Sequence, residues 1–320
     1  MTRPFKALFF AAVLLMCSFG LSAAPLISAP ALHAQIDSPQ SPSHTTQGPL
    51  VVDIRPPEDY ASGHIPGAVS APYGQWRGPA DNPGQLVELA QLTQLVRDLG
   101  IDQDTPIVVT STGEDVTDFG AAARVYWTLK YLGLEQLAIL NGGMQAWQQA
   151  ELPLSKETPQ ITRTQFSPQP NDSILATKRD VANKIDDERT LLVDARPDNF
   201  YAGQTKAPTA KKPGTIKNAI NINHDRWFEP GTTLFVSADK AKDIAHDLLQ
   251  QSPAEVISFC NTGHWAATDW FALSEMAGLP NTKLYPASLA EWSQADDLPM
   301  DNVPSRGQQI IYQLKALFSN

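Results

Sequence analysis

The 320-residue sequence contains only two cysteines, Cys17 and Cys260. Two thiols cannot build a disulfide framework, and no Cys/His cluster has zinc-ligand spacing, so no structural metal is expected. Positive charge is also scarce: 24 Lys and Arg stand against 34 Asp and Glu, a formal charge of −10. That balance disfavours nucleic acid or an anionic membrane surface as a partner. After the N-terminal region no apolar run reaches bilayer-spanning length, which argues against stable membrane insertion of the remaining chain. Glycine (19) and proline (26) are scattered without a period, which excludes a collagen-like chain.

What is present is ordinary globular composition, 42% hydrophobic and 18% charged, in a chain long enough for two cores. Arg3 and Lys6 precede an apolar run from Ala7 to Leu21, followed by small residues and prolines, the order of a secretory signal. The pattern predicts a leader within residues 1–34, cut between Ala23 and Ala34, and an exported, soluble, periplasmic product. Cys17 would leave with the leader, because Met16 stands where a lipoprotein signal needs a small residue. The mature chain would then keep one thiol, Cys260.

Residues Gln35 to Gly48 are polar and proline-punctuated and read as a lead-in, with the fold beginning near Leu50. From there short apolar strands alternate with amphipathic stretches, which implies α/β architecture with mostly parallel sheets and helices on both faces. The pattern occurs twice. Asp53 in VVDIR recurs as Asp194 in LLVDAR, 141 residues on, and Trp147 in AWQQAELPL recurs as Trp292 in EWSQADDLPM, 145 residues on. Two homologous domains follow, at 49–155 and 166–300, joined by a polar linker and trailed by a tail at 301–320.

In the second domain the strand EVISF runs into Cys260, then Asn261, Thr262, Gly263, His264 and Trp265, before a helical stretch. A cysteine at the C-terminal end of a parallel strand and the N-terminal end of a helix sits where unpaired N–H groups and the helix dipole favour an anion. Such a setting makes a thiol nucleophilic at neutral pH; the other reading of a lone cysteine is a buried structural one.

These residues resemble the rhodanese family of sulfurtransferases, in particular the tandem type that includes thiosulfate and 3-mercaptopyruvate sulfurtransferases. The likeness covers roughly Pro49 to Met300. It rests on the strand-Asp-x-Arg segments followed by GHIPGAV and GTIKNAI, on the loop CNTGHW, and on the closing LNGGMQAW and LAEW segments. It implies that Cys260 takes a sulfane sulfur from a small anionic donor, stands as a persulfide, and hands it to cyanide, a thiol or a protein thiol. No cofactor is implied, and the N–H groups from Asn261 to Trp265 would stabilise the sulfur anion.

Domain one has Ser111 where domain two has Cys260, so it is expected to be inactive, with Asp53 and Arg55 structural. Arg196 matches a family arginine that contacts the donor; its other role is a salt bridge to Asp194. His264 either supplies partial positive charge or a proton, or only hydrogen-bonds within the loop. Lys206, Lys211 and Lys212 lie in an insertion that could flank the pocket mouth. Trp265 and Trp270 either wall the pocket or belong to the core.

A Cys-x5-Arg phosphatase is disfavoured, because Ala266 holds the arginine position. The remaining alternative to turnover is a persulfide carrier or redox-sensing module, with no resolving thiol in the chain. Two self-contained domains make a monomer the default.

Overall fold

A computed structural model describes residues 24–37, 48–248, 253–308 and 311–312. The expected leader falls on residues 1–34, of which 1–23 lie outside the described residues, as do residues 309–310 and 313–320 of the tail. No helix among the described residues is long and apolar enough to cross a membrane.

Domain one is built on a five-stranded sheet in the order β1-β5-β4-β2-β3, every pairing parallel. Its strands are β1 (Leu26–Ile27), β2 (Leu50–Asp53), β3 (Val69–Ser70), β4 (Ile107–Thr110) and β5 (Leu137–Leu140). Both central strands β4 and β5 are buried along their whole length, as continuous apolar runs covered on two faces should be. The helices are α1 (Ala29–Ile36), α2 (Pro57–Ser62), α3 (Leu89–Asp98), α4 (Phe119–Tyr131) and α5 (Gly143–Gln149). Between β3 and α3 a short 3-10 turn, Tyr73–Trp76, precedes Arg77.

Domain two repeats the plan with α6 (Lys178–Lys184), β6 (Thr190–Asp194), α7 (Asp198–Tyr201), β7 (Thr215–Ile216) and β8 (Ile220–Asn221). After these come α8 (Ala238–Leu248), β9 (Glu255–Phe259), α9 (Trp265–Trp270), β10 (Thr282–Leu284), α10 (Ser288–Trp292) and β11 (Met300–Asp301). Its main sheet, β10-β9-β6-β8, is all parallel, and β11 pairs antiparallel with β7. The α/β class and the duplication expected from the sequence are both present.

The first repeat starts earlier than Leu50. Strand β1 pairs with β5, with Leu26 opposite Ile139, and α1 buries Leu32 completely against Trp147 and Met144 in the same apolar cluster. The counterpart in domain two is Leu175, bridged in parallel to Leu284, followed by α6. Ser28 caps α1 and Thr177 caps α6 with their hydroxyls, 149 residues apart. The sequence pattern hid this unit because two residues of strand and a short helix carry little periodicity.

A leader cut after Ala34 would remove β1 and most of α1. A chain starting at Gln35 is therefore expected to be less stable than one starting at Ala24, by at least the ~1.5–3 kcal/mol that burial of Leu32 contributes. Thermal or urea unfolding of the two chains checks this, and equal midpoints would exclude a structural role for β1 and α1.

One apolar cluster lies on the outer face of each sheet, and a third runs continuously through both domains. At its centre α4 and α9 pack together. Phe119 stacks on Phe235 with ring centroids 4.7 Å apart, and Tyr126 meets Phe271 edge-on at 5.2 Å. Lys130 reaches across to Glu275 at 2.7 Å, and Tyr126 donates to the same carboxylate at 2.8 Å. The two domains thus share a core, which places α4 of domain one beside the loop that precedes α9.

Candidate active site

Cys260 follows β9 directly and is 1% exposed. Its N–H donates to the Ser288 hydroxyl at 3.0 Å, and its carbonyl accepts from Leu289 N–H at 3.1 Å, so the start of α10 clamps the turn from one side. Ala290 N–H binds the Asn261 carbonyl at 2.9 Å in the same way. The N–H groups of Asn261, Thr262, Gly263, His264 and Trp265 make no hydrogen bond within the described residues. Gly263 holds φ +67°, and a Cβ there would collide with the Pro286 carbonyl and with Arg124 Nη1, so both conformation and space demand glycine.

The turn opens on a pocket of about 360 Å³ lined by Cys260, Asn261, Thr262, His264, Trp265, Arg77 and Ala207–Thr209. Of the loop residues expected at the site, Cys260, Asn261, Thr262, His264 and Trp265 line this pocket, whereas Gly263 packs against Pro286 and Arg124. Arg77, the charged group in that wall, comes from domain one.

Arg196 sits elsewhere. It is 1% exposed and grips Asp194 with Nε at 2.8 Å and Nη2 at 2.6 Å, while Nη2 also donates to the Gly214 carbonyl at 2.7 Å. Of its two expected roles the geometry displays the salt bridge, and its one link to the loop is Nη1 to Asn261 Oδ1 at 3.4 Å. Domain one carries the same device: Arg55 binds Asp53 at 2.6 Å and the Gly63 carbonyl at 2.9 Å. A strand-end aspartate that satisfies a buried arginine, which in turn ties down the next loop's carbonyl, is therefore a feature of the fold unit.

His264 is not a source of positive charge. Its Nε2 lies 2.7 Å from the Thr117 carbonyl, an acceptor, so Nε2 carries the proton and Nδ1 accepts from the Tyr73 hydroxyl at 2.9 Å. Arg77 Nη1 donates to the same hydroxyl at 3.0 Å. Burial, then the nearby Arg77, pulls the His264 pKa down to about 3, so the imidazole stays neutral through the physiological range. Its role is to fasten the loop to domain one.

The insertion lysines do not line the pocket. Lys211 and Lys212 pair with Asp296 at 2.9 and 3.1 Å, and Lys206 donates to the Ala210 carbonyl, which braces the insertion. Its neutral stretch Ala207–Thr209 forms the wall instead, with the Thr209 hydroxyl buried and unpartnered. Trp265 forms pocket wall and stacks on His224 at 4.9 Å, whereas Trp270 is core.

In domain one the equivalent turn already holds a carboxyl group of its own, Asp118. Gly113 N–H donates to Asp118 Oδ2 at 2.6 Å. The thiol is missing there, and one amide of the turn, Gly113 N–H, is taken by this carboxyl group.

Sequence reasoning missed Arg77, Tyr73, Thr117 and Arg124, all from the domain without a thiol. The signal available was indirect: a duplicated unit that packs equivalent helices face to face must bring each loop against the other copy.

A rhodanese-like domain model matches residues 29–150 and 177–295. The chain is 31% identical over 254 residues to a thiosulfate sulfurtransferase of Pseudomonas aeruginosa, covering 79% of this chain and 90% of that protein. It is 26% identical over 251 residues to a 3-mercaptopyruvate sulfurtransferase of Escherichia coli, covering 77% and 86%. It is 28% identical over 253 residues to a sulfur carrier protein of Thermus thermophilus, covering 75% and 86%. Among solved structures, an anaerobic ergothioneine biosynthesis enzyme of Chlorobium limicola shares the fold, with a TM-score of 0.75, 20% identity, and coverage of 88% of this chain and 71% of that one.

Proposed function

This chain belongs to the rhodanese-like domain family, two copies in tandem, and on that premise we propose that it is a sulfurtransferase working through a persulfide on Cys260. The observation that carries the proposal is Cys260 lining a pocket together with loop residues whose N–H groups make no hydrogen bond within the described residues, and with the Arg77 guanidinium in the same wall. In the first half-reaction the Cys260 sulfur attacks the sulfane sulfur of thiosulfate. The donor's S–S bond breaks and sulfite leaves with the electron pair. With 3-mercaptopyruvate the C–S bond breaks and, after protonation, pyruvate leaves. In the second half-reaction cyanide or a thiol attacks the outer sulfur and the Cys260 thiolate departs.

Arg77 anchors the anionic end of the donor, so domain one, which has no thiol of its own at Ser111, contributes to binding and not a nucleophile. Replacing Arg77 with methionine is expected to raise KM for an anionic donor about 10- to 100-fold, the worth of one hydrogen bond to a charged group, with a smaller change in kcat. Steady-state kinetics check this against Tyr73→Phe, which keeps the guanidinium; an unchanged KM would remove Arg77 from donor binding.

A second reading is a persulfide carrier that delivers sulfur to a partner protein, and the similarity to a named sulfur carrier favours keeping it. Export to the periplasm is part of the proposal, supported by Arg3, Lys6 and the apolar run Ala7 to Leu21. Intact mass after exposure to thiosulfate and, separately, to 3-mercaptopyruvate tests the reading. A gain of one sulfur, reversed by cyanide or a thiol, is expected. Fast reversal supports the enzyme and slow reversal the carrier, and no gain from either donor overturns both.

A further inference from the structure

Among the described residues three arginines are almost wholly enclosed: Arg55, Arg124 and Arg196. Two of them carry their own counter-charge two residues upstream, Asp53 and Asp194. Arg124, in the first half of α4, has no carboxylate partner. Its Nη2 donates to the Gly84 carbonyl at 2.9 Å and its Nη1 to the Gly263 carbonyl at 3.4 Å, while Nε finds no acceptor. The Trp127 ring lies 5.4 Å from the guanidinium carbon. A cation taken out of water and left on main-chain carbonyls is costly to bury unless an anion answers it.

The ionisable groups facing it are Arg77 and Tyr73 on the turn before α3, and His264 and Cys260 on the loop before α9. Arg77 has the same sign of charge. Tyr73 is kept a neutral phenol, because burial pushes its pKa up, and His264 is neutral. Cys260 is the one remaining group able to carry a negative charge.

We propose that Arg124, supplied by the thiol-free first domain, is the counter-charge of the sulfur anion on Cys260 and the positioning residue of the loop that bears it. The inference rests on Cys260 being the nucleophile and adds the source of its electrostatic support. Burial, then Arg77, lowers the Arg124 pKa to about 9, so it remains a cation near neutrality while lacking an anion of its own. Gly263 is what lets it come close, since any side chain there would meet Nη1. The duplicated domain then has a chemical reason to persist without a thiol: one buried charge of the active site grows from its helix.

The test compares alkylation of Cys260 by neutral iodoacetamide near pH 7 in the full chain and in the Arg124→Met and Arg124→Lys variants, each verified as folded by circular dichroism. The methionine variant is expected to react at least about tenfold more slowly, and lysine to recover most of the rate, because a nearby opposite charge raises the ionised fraction of a thiol. Equal rates in folded wild type and Arg124→Met overturn the proposal, as does a folded lysine variant as slow as methionine. If neither variant folds, Cys260→Ser decides. Wild type is then expected to exceed Cys260→Ser in melting temperature by more at pH 8.5 than at pH 5, since only ionised sulfur answers Arg124; an equal margin at both pH values overturns it. Alkylation needs no sulfur donor, so a chain that fails to transfer sulfur yet shows these rates loses the proposed function and keeps this inference.

Discussion

Replacing Cys260 with serine is expected to abolish sulfur transfer, lowering turnover with thiosulfate or 3-mercaptopyruvate on the order of 10³-fold or more. Serine is close in volume, and the backbone bonds from Cys260 to Ser288 and Leu289 do not involve the side chain, so the turn keeps its geometry. A hydroxyl is little ionised near neutrality and cannot hold a sulfane sulfur as a stable leaving group, so the first half-reaction has no intermediate to form. Release of sulfite or pyruvate, measured with cyanide as acceptor, reads the loss directly. Activity above a few per cent of wild type in the serine variant would mean that Cys260 is not the nucleophile, and the loop would then be a structural turn around a buried thiol.

The Asp194–Arg196 pair gives the second large effect, this one on stability. Arg196→Met is expected to cost about 3–5 kcal/mol, because it strands a buried carboxylate and frees the carbonyl of Gly214. Asp194 would keep only the Thr215 hydroxyl, at 2.7 Å, and nearby main-chain groups. The loss is dominated by the unpaired charge, so changing Asp194 to leucine in the same chain should return part of it. Urea unfolding of wild type, both single variants and the double variant forms the cycle that isolates this coupling. A cost under about 1 kcal/mol for Arg196→Met, the scale of an exposed ion pair, would show that the pair is not closed to water. Activity is a separate readout: a variant that binds donor normally at low temperature would confine Arg196 to architecture.

The pair also illustrates how far a sequence can be read. The Asp-x-Arg spacing, repeated 141 residues apart, marked a strand end in each half, and the Cys-x-x-Gly segment marked a turn between strand and helix. Both are local: the atoms involved lie within a few residues, and the strand and helix that frame them follow from apolar periodicity. The role of Arg196 was harder to read because a guanidinium at a strand end can face either the pocket or its neighbour. Burial decides, and burial is set by the covering loop from Gly214, which arrives 18 residues later.

What the sequence by itself determined is the duplicated α/β plan, the candidate thiol at the end of a domain-two strand and the absence of a cysteine at the matching place in domain one. These depend on period, spacing and residue type, which survive without coordinates. Only the tertiary structure decided what surrounds the thiol. Tyr73 meets His264 across 191 residues, Thr117 meets it across 147, and Arg124 reaches Gly263 across 139. The start of the fold at β1 likewise emerged only from its pairing with β5. Such contacts are fixed by how two apolar cores merge along α4 and α9, and hydrophobic packing is non-directional along the chain: it specifies which faces are buried, not which distant side chains those faces carry to the same pocket.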